Sequence, residues 1–196
     1  MPTASVKNRG YFKIKDACCA FDFDFRDKIV LDIGSSTGGF TQFALDRGAK
    51  KVIAVEKGTN QMQAPLCHDP RVDLHEKTDI FDVKAHNDSH ILIESPDVIL
   101  ADVSFITLKD VLTHTKTNLA NTETDFLVML KPQFEAAPDQ LVKGVVKNER
   151  IRREIIKNFE HWLKYNNFII INKRDNNLKG KTGNQERFYW LKLAQK

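Results

Sequence analysis

Short apolar runs alternate along this chain with segments whose apolar residues recur every three to four positions. The short runs have the length and composition of buried strands, and the periodic segments have the spacing of amphipathic helices. The apolar runs predict seven strands, at 28–34, 51–58, 72–80, 97–105, 125–132, 168–175 and 187–194. The helical spacing predicts helices at 38–48, 108–120 and 148–166.

The alternation of strands and helices predicts a mostly parallel sheet with helices on both faces. Only about a dozen residues, without a helical pattern, separate the last two strands, so we expect these two to pair antiparallel at one edge of a seven-stranded sheet. A length of 196 residues suits one domain. We assign residues 21–196 to a single α/β domain and residues 1–20 to an N-terminal extension that carries Lys13.

Several polar side chains follow directly on predicted strands. Residues 32–36, 56–58, 102–104 and 131–133 come at strand ends, and in parallel α/β sheets these ends share the rim where ligands bind. A strongly hydrophobic run delivers Lys131 to this rim. We expect Pro132 to disfavour helix at this point and to hold the backbone beside Lys131 rigidly.

The first predicted strand ends in the pattern D-x-G-x-x-x-G-G-F, from Asp32 to Phe40. Such glycines let the backbone approach a ligand at a helix start, but the spacing is not GxGxxG, and no GK[ST] follows to make a phosphate-binding P-loop. The pattern resembles motif I of the S-adenosylmethionine-dependent methyltransferases, which implies their Rossmann-like fold and S-adenosylmethionine as cofactor. The candidate cofactor residues are Asp32, Gly34, Ser35, Ser36, Thr37, Gly38, Gly39, Phe40, Glu56, Lys57, Asp79 and Asp102.

Three of these acidic residues have distinct roles under this interpretation. Asp32 orients the loop or meets the amino-acid end of the cofactor, Glu56 accepts hydrogen bonds from both ribose hydroxyls, and Asp79 accepts one from the adenine amino group. A turn with a helix cap remains the alternative for the glycine pair, and Asp79 could equally cap a turn.

Lys13, Asp102, Lys131 and Glu186 form a candidate catalytic set. Asp102 and Lys131 end neighbouring predicted strands, and Glu186 begins the last strand, which in this fold class lies beside the fifth. A lysine can remove a proton from a sugar hydroxyl if burial or another cation lowers the lysine's pKa. We expect Lys131 to take the proton or orient the hydroxyl, Asp102 to hold Lys131, and the other two to complete the set. Surface ion pairs are the alternative.

Five segments in order, RGYFKI, LDIGSSTGGFT, DVSFITL, KPQFE and GNQERFYWL, resemble the FtsJ-like methyltransferases and in particular their TlyA branch, once called haemolysins. The resemblance runs from Arg9 to Leu193. It implies 2'-O-methylation of ribose in ribosomal RNA by a cytoplasmic enzyme whose partner is ribosomal RNA or a ribosomal subunit. The family's Lys-Asp-Lys-Glu tetrad falls on Lys13, Asp102, Lys131 and Glu186.

Two features depart from this branch. Its members usually carry an N-terminal S4-type RNA-binding domain, whereas about eight residues precede Arg9 here, so either the chain is truncated or the protein finds RNA differently. The usual RGGLKL is replaced by RGYFKI, and we expect Tyr11 and Phe12 to alter the loop that carries Lys13.

Basic segments at both ends of the chain surround an acidic middle. Residues 143–157 carry six basic and two acidic side chains, whereas residues 68–102 carry nine acidic and three basic ones. This distribution fits a polyanion-binding face, although an ordinary solvated surface would also produce it. The candidate RNA contacts are Arg9, Phe134, Lys143, Lys147, Arg150 and Lys181, with Arg152, Arg153 and Lys179 as further candidates.

Some of these candidates have alternative explanations. Phe134 could stack on an unpaired base or pack beneath its loop, whereas we expect Phe105 to lie in the core. Arg150 and Arg152 could bind phosphates or form the solvated face of their helix. We expect residues 143–149 to form a mobile loop beside the site.

Other functional classes are disfavoured. No apolar run approaches the roughly 20 residues of a membrane span, and the N-terminus is not typical of a signal peptide. Three cysteines without a CxxC pair and six histidines without ligand spacing indicate a reducing compartment and no metal. The motif DVSF, in place of an NPPY-type motif, counts against base N-methylation, and no membrane-inserting segment supports lysis.

Three alternatives remain open at this point: methylation of another RNA, methylation of a small molecule, and RNA or cofactor binding without catalysis. The sequence also leaves open the target nucleotide, the ribosomal subunit and the oligomeric state.

Overall fold

The apolar runs form one seven-stranded sheet in a computed structural model, which describes residues 7–85, 95–178, 180 and 183–194. The strands are β1 (Ile29–Ile33), β2 (Lys51–Val55), β3 (Val72–His75), β4 (Val98–Ala101), β5 (Asp125–Leu130), β6 (Phe168–Asp175) and β7 (Arg187–Leu193). The helices are α1 (Arg9–Phe21), α2 (Gly39–Asp46), α3 (Leu108–Asn118), α4 (Pro132–Glu135) and α5 (Glu149–Tyr165). Single turns of 3-10 helix occur at Leu66–His68, Ile80–Asp82 and Pro138–Gln140.

The strand order in the sheet is β3-β2-β1-β4-β5-β7-β6. Neighbours among β1 to β5 pair parallel, whereas β7 pairs antiparallel with both β5 and β6. The prediction of a mostly parallel sheet with an antiparallel last strand is therefore confirmed. This order places the start of β7 beside the end of β5, where Leu130 pairs with Arg187.

Helices cover both faces of the sheet, because consecutive strand residues alternate between two apolar clusters. On β1, Leu31 and Ile33 face the cluster completed by α3 and α5, whereas Val30 faces the cluster completed by α1 and α2. Both clusters consist of side chains that are almost fully removed from water, and this burial supplies the main driving force for the fold.

Several elements end earlier than the hydrophobic pattern predicts. β3 stops at His75 and β4 at Ala101, so Asp79 and residues 102–105 lie in loops rather than in strands. These loops leave the sheet at the rim of the parallel strand ends, where ligand sites form in this architecture.

The expectation that Pro132 disfavours helix is wrong. Pro132 is the first residue of the single-turn helix α4, a position where its missing N–H is not needed. Its restriction acts on Lys131, which keeps an extended backbone with φ −109° and ψ 100°.

The expectation that Lys13 lies in a loop is also wrong. Asn8 caps the 13-residue helix α1 by accepting a hydrogen bond from the Tyr11 backbone N–H, and Lys13 lies within the helix. One face of α1, including Ile14 and Phe21, packs into the cluster shared with α2. The predicted boundary between residues 1–20 and 21–196 falls at the end of α1 and remains a prediction.

Candidate active site

Two adjoining cavities open at the rim where the parallel strands end. The carboxylate cavity has a volume of about 560 Å³ and is lined by Glu56, Asp79 and Asp102 together with apolar side chains. The lysine cavity has a volume of about 590 Å³ and is lined by Lys13 and Lys131 with their acidic partners. The residues common to both walls are Gly34, Ser36, Asp102, Ser104 and Phe105.

The loop after β1 requires glycine at two positions. Gly34 has φ +75°, and a Cβ there would lie 3.0 Å from the backbone oxygen of Asp102. Gly38 has φ +82°, and a Cβ there would overlap a methyl carbon of Leu66. The Gly34 N–H also donates to the Val55 oxygen at 2.9 Å, so the loop runs tightly across the end of β2. The predicted close-approach loop is present.

Asp32 lies fully buried beneath this loop. Its Oδ2 accepts a hydrogen bond of 2.6 Å from the Thr41 hydroxyl, while its Oδ1 is buried without a hydrogen-bond partner among the described residues. Burial raises the pKa of Asp32 to about 7, against the hydrogen bond from Thr41 and with added repulsion from the Asp102 carboxylate. The Ser35 hydroxyl is a second buried polar atom with no hydrogen-bond partner in the described part of the chain.

Glu56 follows β2 and organises the wall of the carboxylate cavity. Its Oε2 accepts from the Ser36 backbone N–H at 2.9 Å, and its Oε1 accepts from the Gly58 N–H at 2.6 Å and from the Gln61 amide at 3.2 Å. The carboxylate predicted to meet a ribose therefore also fixes two loops.

Asp79 performs the turn-capping role that the sequence left open, and it also lines the carboxylate cavity. It accepts from the Phe81 backbone N–H at 3.2 Å and from Lys57 Nζ at 2.8 Å. The hydrogen bond from Lys57, followed by that from Phe81, lowers the pKa of Asp79.

The predicted cofactor residues divide between the two cavities. The carboxylate cavity is lined by Gly34, Ser36, Glu56, Lys57, Asp79 and Asp102. The lysine cavity is lined by Ser35, Thr37, Gly39 and Phe40. Asp32 and Gly38 line neither, since one lies beneath the loop and the other forms its turn.

These features fit an adenosine-type cofactor. A volume of about 560 Å³ lies within the range of small-molecule sites, and apolar Ile33, Val55 and Ile80 line it together with carboxylates that can accept from hydroxyl and amino groups. Two buried oxygens that have no hydrogen-bond partner among the described residues, Asp32 Oδ1 and Ser35 Oγ, lie at the loop where the cofactor's polar end is expected.

Lys131 lies at the end of β5 and pairs with residues at the end of β4. Its Nζ is 2.6 Å from Asp102 Oδ1 and donates to Ser104 Oγ at 3.0 Å. The Lys131 side chain is 11% exposed, so the pair is largely shielded but open to the cavity. The predicted neighbourhood of Asp102 and Lys131 is present.

Lys13 and Glu186 form a second pair on the same cavity. Lys13 Nζ donates to Glu186 Oε2 at 2.5 Å, and the two side chains are 8% and 3% exposed. This pair joins α1 to the residue just before β7, across 173 positions of sequence. All four predicted ionisable residues therefore line one cavity, as two lysine–carboxylate pairs, while their catalytic roles remain predictions.

The expectation that Phe105 lies in the core is wrong. Phe105 is 89% exposed and has φ +66°, a backbone conformation that is unusual for an aromatic residue. Its ring centroid lies 5.2 Å from that of Phe134, and Lys131 Nζ lies 6.0 Å from the Phe134 centroid. An aromatic pair therefore stands at the lip of the lysine cavity.

The predicted RNA contacts have mixed outcomes. Arg9 and Phe134 line the lysine cavity, whereas Lys143, Lys147 and Arg150 are exposed outside it. Lys179 and Lys181 lie outside the described residues.

Arg152 is buried, contrary to its place among the candidate phosphate contacts. Its Nη2 is 2.7 Å from Asp175 Oδ1 and its Nε donates to the Gln185 oxygen at 3.2 Å, so it supports the approach to β7. Arg153 is exposed and donates to its own helix at the Glu149 oxygen.

Several supporting residues were missed by the sequence analysis. Asn8 Nδ2 donates to Thr37 Oγ1 at 2.8 Å and so joins α1 to the loop after β1. Glu135 accepts from the Thr107 hydroxyl and from the Leu108 N–H, each at 2.7 Å. For Glu135 the signal was its place in KPQFE, whereas the partner of Asn8 lies 29 positions away and has no local signal.

Comparison with known proteins gives a consistent result. A family model described as FtsJ-like methyltransferase matches residues 6–193. The Campylobacter jejuni protein named 23S rRNA (cytidine-2'-O)-methyltransferase TlyA is 34% identical over 185 residues, which are 93% of this chain and 69% of that protein. The Bacillus subtilis protein YqxC is 36% identical over 151 residues, which are 76% of this chain but only 52% of its own length. The chain thus spans about half of one relative and about two thirds of the other.

Solved structures agree with the fold. A protein from Streptococcus thermophilus described as a hemolysin superposes with a TM-score of 0.89 at 29% identity, covering 100% of this chain and 68% of that one. The fibrillarin pre-rRNA processing protein of Methanococcus jannaschii has a TM-score of 0.69 at 17% identity, covering 97% of this chain and 78% of that one, and shows the shared fold alone. No helix within the described ranges is long and apolar enough to cross a membrane.

Proposed function

The chain belongs to the FtsJ-like methyltransferase family, and from this premise we propose that it methylates the 2'-hydroxyl of a ribose in ribosomal RNA with S-adenosylmethionine. The observation that carries the proposal is the lysine cavity, where two lysine–carboxylate pairs line a space that shares walls with the carboxylate cavity. The Campylobacter jejuni relative is named as a 23S rRNA (cytidine-2'-O)-methyltransferase, which supports the same activity.

In this proposal the carboxylate cavity holds the cofactor. Glu56 accepts hydrogen bonds from the ribose hydroxyls, Asp79 accepts one from the adenine amino group, and Ile80 contacts the adenine plane. The amino-acid end extends toward the loop after β1, where Ser35 lines the adjoining lysine cavity, while Asp32 orients this loop from its buried position beneath it.

Lys131 acts on the substrate hydroxyl. The cofactor supplies an electrophilic methyl group on a sulfonium centre, so the protein has only to align the hydroxyl and take up its proton. Lys131 Nζ is placed to orient the hydroxyl and take up its proton, and Asp102 at 2.6 Å would stabilise the ammonium that results. Ser104, which accepts from Nζ at 3.0 Å, fixes the direction of the amine.

The Lys13–Glu186 pair completes the wall around the ribose. Both side chains are buried, so breaking the pair leaves an uncompensated charge. Through α1 and β7 the pair holds two distant segments of chain at a fixed separation, and Lys13 remains available to donate to a second ribose oxygen.

The RNA enters over the aromatic lip. Phe105 offers an exposed ring face on which a base can stack, and Phe134 backs it. Arg9 lines the cavity and is placed to contact a phosphate of the same nucleotide. Since ribosomal RNA is the substrate, we place the protein in the cytoplasm.

The decisive experiment is to incubate the protein with methyl-labelled S-adenosylmethionine and ribosomal subunits that lack this modification. We expect label on a ribose of one subunit's RNA, mapped by nuclease digestion and mass spectrometry. Label on a base, label on small molecules only, or no incorporation would each overturn the proposal in favour of one of its alternatives.

A second experiment tests the cofactor assignment. We expect Glu56→Ala to weaken binding of S-adenosylmethionine and of 5'-methylthioadenosine alike, by roughly 10- to 100-fold, because both ligands carry the ribose. Calorimetry measures both affinities, and exposed Glu123→Ala is the control. Affinities equal to wild type would remove the ribose assignment, and a loss confined to S-adenosylmethionine would transfer Glu56 to the amino-acid end.

A further inference from the structure

A tight basic hairpin stands where the sequence predicts a mobile loop. Val142 and Val145 exchange backbone hydrogen bonds of 2.9 and 3.1 Å, which close a two-residue turn. Lys143 and Gly144 have φ +51° and +76°, as a type I' turn requires. The segment is therefore an ordered hairpin, which we define as residues 142–147.

The tip of this hairpin carries a lysine whose backbone is strained and whose charge has no ion-pair partner among the described residues. Positive φ disfavours a residue with a Cβ, and Asn or Gly is the usual choice at the first turn position. Lys143 occupies it nonetheless and is exposed, and no ion pair joins its ammonium to any described residue. Lys147, at the other end of the hairpin, is also exposed. The fold thus holds two amines in water on a rigid support.

Asn184 fixes the hairpin to the segment that carries Glu186. Its side chain is buried, its Nδ2 donates to the Gly144 oxygen at 3.0 Å, and its Oδ1 accepts from the Val146 N–H at 3.0 Å. Both halves of one amide therefore bond to the hairpin, and Glu186 lies only two residues further along the chain.

The same segment is anchored from below. Arg152 donates to the Gln185 oxygen at 3.2 Å, and the Asn176 N–H donates to the Glu186 oxygen at 2.9 Å. Arg187 Nε lies 2.6 Å from Asp175 Oδ1. Asn184 therefore joins the hairpin to the segment that carries Glu186, and this segment is itself held by Arg152 and Asn176.

We propose that the 142–147 hairpin is a rigid finger that contacts the phosphate backbone of the RNA, and that Asn184 is a positioning residue that fixes this finger relative to Glu186. The inference rests on the proposed function, since it assumes an RNA substrate. It adds that RNA binding by the hairpin and the position of the Glu186 carboxylate both depend on the buried Asn184 amide.

The charge of the finger is tested by variants that keep its shape. Lys143→Asn replaces the lysine by the residue that a type I' turn favours, and Lys147→Gln is a matched change at the base. We expect each to weaken binding of a ribosomal RNA fragment by roughly fivefold and to lower the slope of log affinity against log salt by about one. Lys50→Gln, an exposed lysine before β2 at the other end of the sheet, is the control and leaves both quantities unchanged. Equal affinity and equal slope in all variants would overturn the proposal.

The shape of the finger is tested at Gly144. No atom of a described residue lies within 4 Å of a Cβ built there, so we expect a substitution to act through the backbone. We expect Gly144→Asn to keep the turn and wild-type RNA affinity, and Gly144→Val to raise the KM for RNA by roughly fivefold with unchanged cofactor affinity, since a β-branched residue resists positive φ. Identical behaviour of the two variants would contradict a rigid finger.

The coupling is tested by Asn184→Ala. We expect a higher KM for RNA together with a lower kcat, while S-adenosylmethionine affinity, measured by calorimetry, stays near wild type. A folded variant with unchanged KM and kcat would remove the positioning role of Asn184. If the variant does not fold, Gly144→Val still tests whether the hairpin acts as a rigid RNA contact. Wild-type protein that neither binds nor methylates ribosomal RNA would instead refute the proposed function itself, which is a different outcome from active wild type with indifferent hairpin variants.

Discussion

Lys131 owes its placement to neighbours in sequence and in space. The fully buried strand β5 fixes the backbone before it, Pro132 restricts its backbone to an extended conformation, and Asp102 and Ser104 hold its amine. A flexible side chain is thereby confined to one direction, which is what alignment with a reacting centre requires.

Lys131→Ala should therefore reduce methyl transfer by roughly 10²- to 10⁴-fold, the usual contribution of a positioned base. The residue does not line the carboxylate cavity, so cofactor affinity should stay near wild type. Single-turnover kinetics and calorimetry separate the two quantities, and exposed Lys157→Ala on α5 serves as the control. Retained turnover would remove the role of Lys131.

Asp32 makes the stability of the folded protein depend on pH. Its pKa in the folded protein is raised to about 7 by burial, whereas a carboxyl in the unfolded chain titrates near 3.9. The folded state thus binds the proton more tightly, so this contribution to stability is complete below about pH 4 and is lost as the pH rises through about 7.

Asp32→Asn keeps an oxygen for the Thr41 hydroxyl but cannot ionise. The free energy of unfolding of the variant, minus that of wild type, should therefore increase between pH 4 and pH 7 and level off above. Urea titrations of both proteins without ligand measure this difference, and the shared contributions of other carboxyl groups cancel in it. A difference that is independent of pH would show that Asp32 ionises normally.

The loop between β4 and α3 depends on α4, the single turn after Lys131. Glu135 of α4 accepts from the Thr107 hydroxyl and the Leu108 N–H, and so caps α3 from another element. Partial burial raises the pKa of the Glu135 carboxyl, against the hydrogen bonds from Thr107 and Leu108. Glu135 of KPQFE thus bonds to the end of DVSFITL, and this contact holds the loop that carries Ser104 and Phe105.

Glu135→Ala should destabilise the protein by about 1–2 kcal/mol, the usual value of a lost helix cap. It should also lower kcat, because the loop that carries Ser104 loosens. Glu135→Gln retains one acceptor, so its stability and kcat should lie between those of wild type and Glu135→Ala. Exposed Glu154→Ala on α5 is the control. Urea denaturation with single-turnover kinetics checks both effects, and an unchanged kcat in the Ala variant would limit Glu135 to a stabilising role.

The hydrophobic pattern predicted which strands and helices form, but it predicted where they begin and end less accurately. The seven strands and the helices α2, α3 and α5 follow from burial of apolar side chains, and the apolar pattern of the sequence shows this burial directly. α1 was not predicted as a helix, because RGYFKIKDACCAF mixes charges with apolar residues and its support comes from packing on α2. The early end of β4 was hidden because Val103 and Phe105 continue the apolar alternation, although Phe105 points into solvent.

Site residues at the ends of neighbouring strands could be placed together from the sequence. Contacts between residues that are far apart along the chain could not. Topology alone brings Asp102 to Lys131, since β4 and β5 are neighbours. Lys13 and Glu186 were predicted to belong to the same set, but their direct pairing was not predicted, because 173 positions separate them in sequence. Arg152 illustrates the limit: its sequence neighbours suggest a solvated basic face, and only the fold shows Asp175 beside it.

Charge at the scale of the whole chain bears on how the RNA arrives. The formal net charge is only +4, but Arg9, Lys143, Lys147 and Arg150 are all exposed. Four phosphate contacts would release counterions, so log affinity for ribosomal RNA should fall with log salt with a slope of about −3.

The double variant Arg9→Gln, Arg150→Gln should reduce that slope by about two, since each residue then neutralises no phosphate. Fluorescence anisotropy with a labelled ribosomal RNA fragment between 50 and 300 mM potassium chloride, on the order of the physiological range, measures the slope. Lys50→Gln should leave the slope unchanged, because Lys50 lies at the opposite edge from the strand ends that bear the cavities. A flat salt response in the wild-type protein would mean that base and ribose contacts, rather than phosphate contacts, dominate binding.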